Sequence, residues 1–191
     1  MGLAEVQAAL ARLYTDPAFR EMLENDPEAL QRACGLSDED LEHLKHLSAA
    51  ELEFFAASLR SKRRGEVAKL LPETVAALGG QYRLLFNEHA ANYLPPAKNK
   101  HLEDALHFAE FLEHISLPDK PWVPSTIAYE RAWLEISSGR RFLIVRRLNY
   151  SIDTLLRSTH PERANLVVIW VHTRLTGTHH WILKLPGTRH S

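Results

Sequence analysis

Between Leu70 and Trp133 the chain cannot run as one continuous helix, because proline and glycine interrupt it at fixed places. Pro72 disfavours the α conformation at Leu71 and suits the first turn of a new helix. That helix, Pro72–Leu78, is closed by Gly79-Gly80, and Gln81–Asn92 follows with Tyr82, Leu85, Phe86 and His89 available for one face. Pro95-Pro96 forces an extended connection. Lys100–Ile115 then reads as a long amphipathic helix with Leu102, Ala105, Leu106, Ala109 and Leu112 as its inner stripe. After Pro118, Pro121 and Pro124 a last helix is predicted from about Ser125 to Ser137.

The first part of the chain is punctuated in the same way. Leu3, Val6, Leu10 and Leu13 recur at helical spacing. Asp16-Pro17 and Asp26-Pro27 each pair an N-cap acceptor with a proline at the first helical position. Gly35 stands where a helix should end after Cys34. Ser37–Asp40 and Ser48–Glu51 are capping-box patterns. The second leads through Leu52, Phe55 and Leu59 into a basic run, Arg60, Lys62, Arg63 and Arg64, on a helix that extends to Leu71.

At Gly139 the pattern changes. Arg141–Leu148 and Asn165–Thr173 are rich in β-branched and large apolar residues, and Thr178–Leu185 returns across a Leu175-Thr176-Gly177 turn. Ser151–Ser158 is a candidate short helix. The expected class is α+β: a mostly helical N-terminal part followed by a small antiparallel β-sheet. The expected domains are 1–138, helical, divided into an acidic bundle 1–59 and a second helical region 60–138, and a basic sheet 139–191.

Charge follows these divisions. Residues 1–59 carry 4 basic and 12 acidic groups, 60–100 carry 8 and 3, 101–138 carry 2 and 7, and 139–191 carry 9 and 2. A basic terminal segment favours an anionic partner, an acidic peptide or a nucleic acid; the alternative is that the charges mix once the chain is folded. The single cysteine, Cys34, excludes an intramolecular disulfide and is expected to be buried and inert. Glu5 and Arg12 interrupt the N-terminal apolar pattern, so no signal peptide is expected, and Leu166–Val171 is too short to span a bilayer. A cytoplasmic protein without membrane contact is the resulting expectation.

No nucleophile elbow, Gly-rich phosphate loop, HExxH or CxxC is present, so no catalytic residues and no cofactor are assigned to this chain. Glu103, His107, Glu110 and His114 lie on one helical face, a spacing that can hold a metal but more commonly marks a solvated face. His43 and His46 read as surface residues, while His179 and His180 point to opposite faces of a strand. The run Arg60–Arg64 could meet phosphates, which keeps a DNA-binding or transcriptional module as the alternative function. The sheet is the preferred recognition surface. Arg141, Arg146, Arg147 and Arg174 would steer an acidic peptide, Trp170 or Trp181 would anchor it, and His172 is a contact candidate. One of the two tryptophans is expected in the core.

The order of blocks in the helical region carries a family resemblance. Leu71-Pro72-Glu73-Thr74 is followed by Leu78-Gly79, by Tyr82 and Phe86, by Tyr93 and Pro95-Pro96, by Phe108, Phe111 and Leu112, by Pro121-Trp122, and by Ala128-Tyr129-Glu130-Arg131-Ala132. This resembles the partner subunits of multinuclear non-haem iron-dependent oxidative enzymes (the MNIO group), of the TglI and HvfC sort. It covers about residues 60–135. Ser125 and Thr126 stand where that family often has an Asp, and Arg60–Arg64 replaces its usual Arg-x-x-x-Tyr-Arg entry. The N-terminal 59 residues also look somewhat like leader sequences of the Nif11 kind. The resemblance implies a heterodimer with an iron-dependent TIM-barrel oxidase, the iron residing in that partner subunit, and a ribosomally made precursor peptide as the second partner. It implies a protein interface on the aromatic, proline-shaped helical region, with Tyr93, Pro95, Pro96, Trp122, Tyr129 and Trp133 as its candidate residues.

Overall fold

A computed structural model describes residues 3–155, 160–173 and 175–186. In chain order it contains α1 Leu3–Thr15, α2 Pro17–Asn25, α3 Pro27–Cys34, α4 Asp38–Lys45, α5 Ala49–Leu70, α6 Pro72–Leu78, a 3-10 turn Gly79–Gln81, α7 Tyr82–Asn92, α8 Lys100–Glu113, α9 Val123–Ser137, β1 Leu143–Tyr150, α10 Ile152–Leu155, β2 Arg163–Thr173 and β3 Gly177–Lys184. The class is α+β, helices first and a three-stranded antiparallel sheet last. The chain divides into two compact units, Met1–Arg64 with Ala90–Leu94, and Gly65–His89 with Pro95–Ser191. The sheet belongs to the same unit as α6, α8 and α9.

In the first unit short helices are fixed by their caps. The Asp16 carboxylate accepts from the backbone N–H of Ala18 and Phe19, and Asp26 does the same for Ala29. Such caps each contribute about 1 kcal/mol. Gly35 ends α3 with φ at 64°, a conformation that costs a residue with a Cβ. Both capping boxes form: Ser37 with Asp40, and Ser48 with Glu51. The caps aim the apolar stripes inward, so that Ala9, Leu13, Phe19, Leu23, Leu30, Leu36, Leu41, Leu44 and Leu52 make one core. Cys34 is half-buried against it, less enclosed than its apolar neighbours suggest, because it lies at the end of α3.

In the second unit α6 is held at both ends from a distance. The backbone N–H groups of Glu73 and Thr74 donate to the Glu130 carboxylate at 2.9 and 2.7 Å. The Lys120 ammonium donates to the carbonyls of Ala77 and Leu78 at 2.7 and 2.9 Å. Anion at the N-terminus and cation at the C-terminus match the helix dipole. An aromatic cluster lies nearby in sequence and space: Phe86 meets Phe108 edge-on at 5.4 Å between ring centroids, and Tyr82 meets Phe108 at 5.7 Å. Helix α9 begins at Val123, two residues before the expected start, because Pro124 is tolerated in a first helical turn. Its Ala132 and Ile136 pack with Ile144, Leu148, Ile152, Leu166, Val168 and Trp170, forming the core between helix and sheet.

The sheet order is β1-β2-β3. Val145 pairs with Ile169 and Ile169 with Trp181, and Ile144 pairs with Trp170 and Trp170 with His180. Side chains alternate across a strand, so Ile144, Leu148, Val168 and Trp170 face α9 while Val145, Ile169 and Trp181 face away. The register shifts between Leu148 and Tyr150. Strand β1 starts at Leu143, two residues later than expected. The backbone N–H groups of Arg140 and Arg141 fold back onto the Glu135 carbonyl, which keeps both out of the ladder. Of the expected helix Ser151–Ser158, Ile152–Leu155 is helical and 156–159 lie outside the described residues.

Candidate recognition surface

The face of the sheet turned away from α9 carries Leu143, Val145 and Arg147 from β1, Val167, Ile169 and Val171 from β2, and His179, Trp181 and Leu183 from β3. Trp181 is 53% exposed, Leu183 51%, Val145 49% and Leu143 48%, beside the more exposed Phe142. A three-stranded antiparallel sheet with one solvated face ordinarily shows polar residues there. This one shows an apolar field of the kind that marks interaction sites.

At one end of this face the apolar rows give way to polar ones. A cleft of about 550 Å³ is lined by Pro121, Arg147, Asn149, Tyr150, Arg163, Ala164 and Asn165. Arg147 Nε donates to Asn165 Oδ1 at 2.9 Å, which fixes the guanidinium along the sheet surface. No carboxylate pairs with Arg147 or Arg163 among the described residues. Two guanidinium groups and two side-chain amides line that cleft, donors of the kind that suit an anion.

The residues expected to contact a peptide are scattered. Arg147 lies on the open face as described. Arg146 shares the inner side with Ile144 and Leu148, and its Nη1 donates to the Val145 carbonyl at 3.2 Å. Arg141 precedes the sheet and pairs with Glu135 at 3.2 Å. His172 is half-buried, its Nδ1 2.9 Å from Thr178 Oγ1. Arg174 lies outside the described residues. Trp170 must be corrected: it is 0% exposed, enclosed between sheet and α9, and so belongs to the core rather than to a surface anchor. The exposed tryptophan is Trp181, one ladder step away on the opposite face.

The candidate interface residues are likewise divided. Tyr93 belongs to the first unit, where its carbonyl accepts from Arg63 Nη2 at 2.9 Å. Pro95 is half-buried and Pro96 exposed. Trp122 is half-buried, 6.2 Å from the His160 ring. Tyr129 and Trp133 are half-buried and pack toward the sheet, Tyr129 on Trp170 at 5.6 Å and Trp133 on His180 at 5.3 Å.

Members of the acid–histidine row on α8 take separate partners. Glu103 pairs with Arg140. Glu110 meets Arg131 at 3.7 Å, and Arg131 also binds Glu113 at 2.9 Å and Glu135 at 3.0 Å. His114 caps the helix end. His107 turns to His89, with the two Nδ1 atoms 3.4 Å apart, and His89 Nε2 lies 3.1 Å from Asp104 Oδ1. Partial desolvation of this otherwise exposed side chain, with the adjacent His89, holds the His107 pKa below the usual histidine value, against the pull of Glu110 and Asp104. His89 and Asp104 are both buried. That pair was not singled out from the sequence, and its only signal was a polar residue on each of two apolar stripes. His43 and His46 are exposed. In the basic run, Arg60 pairs with Glu53, and Arg64 Nη2 donates to Ser61 Oγ at 3.2 Å.

Residues 45–114 match the family model described as SCO6045-like, C-terminal domain. No curated protein and no solved structure matches the chain. The matched segment takes in α5 to α8 and overlaps the block pattern noted in the sequence from Leu71 to Leu112. Among the described residues no helix is long and apolar enough to cross a membrane.

Proposed function

We propose that this chain is a non-catalytic partner subunit that binds an iron-dependent peptide-modifying oxidase and docks the leader of that enzyme's ribosomally made precursor peptide. The block order between Leu71 and Ala132 motivates the oxidase as partner. The observation that carries the docking role is a sheet whose β1 and β2 strands pack on α9 on one side while Leu143, Val145, Trp181 and Leu183 are exposed on the other, beside Arg147 and Arg163. Such a surface suits a peptide with apolar and acidic side chains. The iron and the oxygen chemistry belong to the partner, and this chain contributes binding and orientation of the substrate.

Co-expression with an oxidase encoded beside it tests the reading. The expected result is a complex that survives gel filtration, and peptide turnover that depends on this chain. A chain that elutes alone, beside an oxidase that is fully active without it, would sink the reading.

A further inference from the structure

The proposed docking role leaves open where on the sheet a peptide would lie, and three observations bear on that. The first is the continuity of the outer face. The register sets Leu143, Val171 and His179 in one row, Val145, Ile169 and Trp181 in the next, and Arg147, Val167 and Leu183 in a third. With strands about 4.8 Å apart, these rows make one apolar surface roughly 10 Å wide.

The second observation is the cleft that continues the surface past its third row. Arg147 belongs to both, so an anion held between Arg147 and Arg163 would lie beside the apolar rows. Asn165 already holds Arg147 Nε, which leaves the terminal nitrogens of the guanidinium for a bidentate contact. The third is charge. The outer face and its cleft carry Arg147 and Arg163 and no carboxylate among the described residues, so a second copy would bring like charge against like charge. A nucleic acid would find the arginines but mostly aliphatic rows, with Trp181 as the stacking ring.

We propose that the outer face of the β1–β2–β3 sheet and the adjoining Arg147–Arg163 cleft bind an acidic peptide segment face-on, its large apolar side chains on Val145, Ile169 and Trp181 and a carboxylate between the two arginines. This deepens the docking role argued above and rests on it. It differs from addition of a strand to the edge of β1 or β3, which would not cover Ile169 on the middle strand.

The test uses the full chain alone, without the oxidase, so that it fails independently of the partner reading. The probe is a short fluorescein-labelled peptide alternating glutamate with leucine, followed by anisotropy and by Trp181 emission. Saturable binding with a shift in tryptophan emission is expected, and a lysine–leucine peptide should not compete. Arg147→Glu combined with Arg163→Glu should weaken binding by about tenfold or more. Trp181→Ser should weaken it and abolish the emission change. Circular dichroism melting identifies variants that fail to fold; for those Arg147→Gln with Arg163→Gln is substituted, with a smaller loss expected.

Unchanged affinity in folded variants overturns the proposal. So does equal binding of the lysine–leucine peptide, displacement of the probe by a DNA duplex, or a sedimentation dimer that Trp181→Ser dissolves. If the chain binds the probe as expected but does not associate with the oxidase, the surface stands and the partner role falls. If the oxidase complex forms and processes peptide while the folded variants bind the probe normally, the partner role stands and docking lies elsewhere.

Discussion

The carboxylate of Glu130 accepts the backbone N–H of Thr74 at 2.7 Å across 56 residues of chain. It ties α9 to the N-terminus of α6, and so joins two blocks of the sequence pattern that carry the family resemblance. Glu130 is 8% exposed, and burial raises its pKa above the ordinary carboxylate value despite the amides of Thr74 and Glu73 that favour the charged form.

Replacing Glu130 with Ala removes the acceptor and leaves two amide donors in a partly buried site. The expected cost is about 1–3 kcal/mol in chemical denaturation. The raised pKa also fixes a pH slope. The folded state binds a proton more tightly than the unfolded state, so this group's contribution falls as pH rises from the ordinary glutamate range through the raised value. Glu130→Gln should flatten that part of the stability profile. A profile identical to that of the parent protein would show that Glu130 is not the titrating group.

At the other end of α6, Lys120 should contribute less, because ammonium-to-carbonyl bonds at a helix C-terminus are wetter. Lys120→Met is expected to cost about 0.5–1.5 kcal/mol. The two caps serve one seven-residue helix, so the losses should not add. A double-mutant cycle with Glu130→Gln should show coupling above about 0.5 kcal/mol. Simple additivity would mean that α6 stays formed when either cap is lost.

The caps written into neighbouring residues were legible in the sequence, because Asp16-Pro17, Asp26-Pro27, Ser37–Asp40 and Ser48–Glu51 act within four residues. Glu130 and Lys120 cap from 40 to 60 residues away, and nothing local marks an acid or a base for that task. The sheet shows a second limit. In Asn165–Thr173 apolar residues occupy both parities, so period-two reading yields a strand but no inner face. Only the packing of Ala132 and Ile136 decides that Trp170 goes in, and pairing across β2 and β3 then puts Trp181 out. The peptide-contact set drawn from the sequence mixed the two faces for that reason.

This division of the tryptophans predicts opposite mutational costs. Trp170→Ala should cost about 3–5 kcal/mol, and Trp170→Phe clearly less, because ring volume is largely retained. The indole N–H has no acceptor among the described residues, so Phe sacrifices no hydrogen bond there. Trp181→Ala should stay within about 0.5 kcal/mol. Emission should agree: the Trp181→Ala protein loses a red-shifted, acrylamide-quenchable component, and the Trp170→Phe protein a blue-shifted, protected one. Similar quenching of both would mean that the outer face is already covered.

The Asp104–His89–His107 chain predicts a dependence on pH in the acidic direction. His107 has a pKa below its unfolded value, so the unfolded chain takes up a proton that the folded chain resists. Its contribution is therefore intact above the unfolded histidine value of about 6.5 and is lost as pH falls below it. His107→Gln keeps a polar side chain beside His89 but cannot charge, so its denaturation midpoint should decline less between about pH 7 and pH 5 than that of the parent protein. Histidine Cε1–H titration by NMR checks the assignment directly. A resonance for His107 that titrates at or above the unfolded value would overturn the desolvation argument and return the pH slope to the carboxylates.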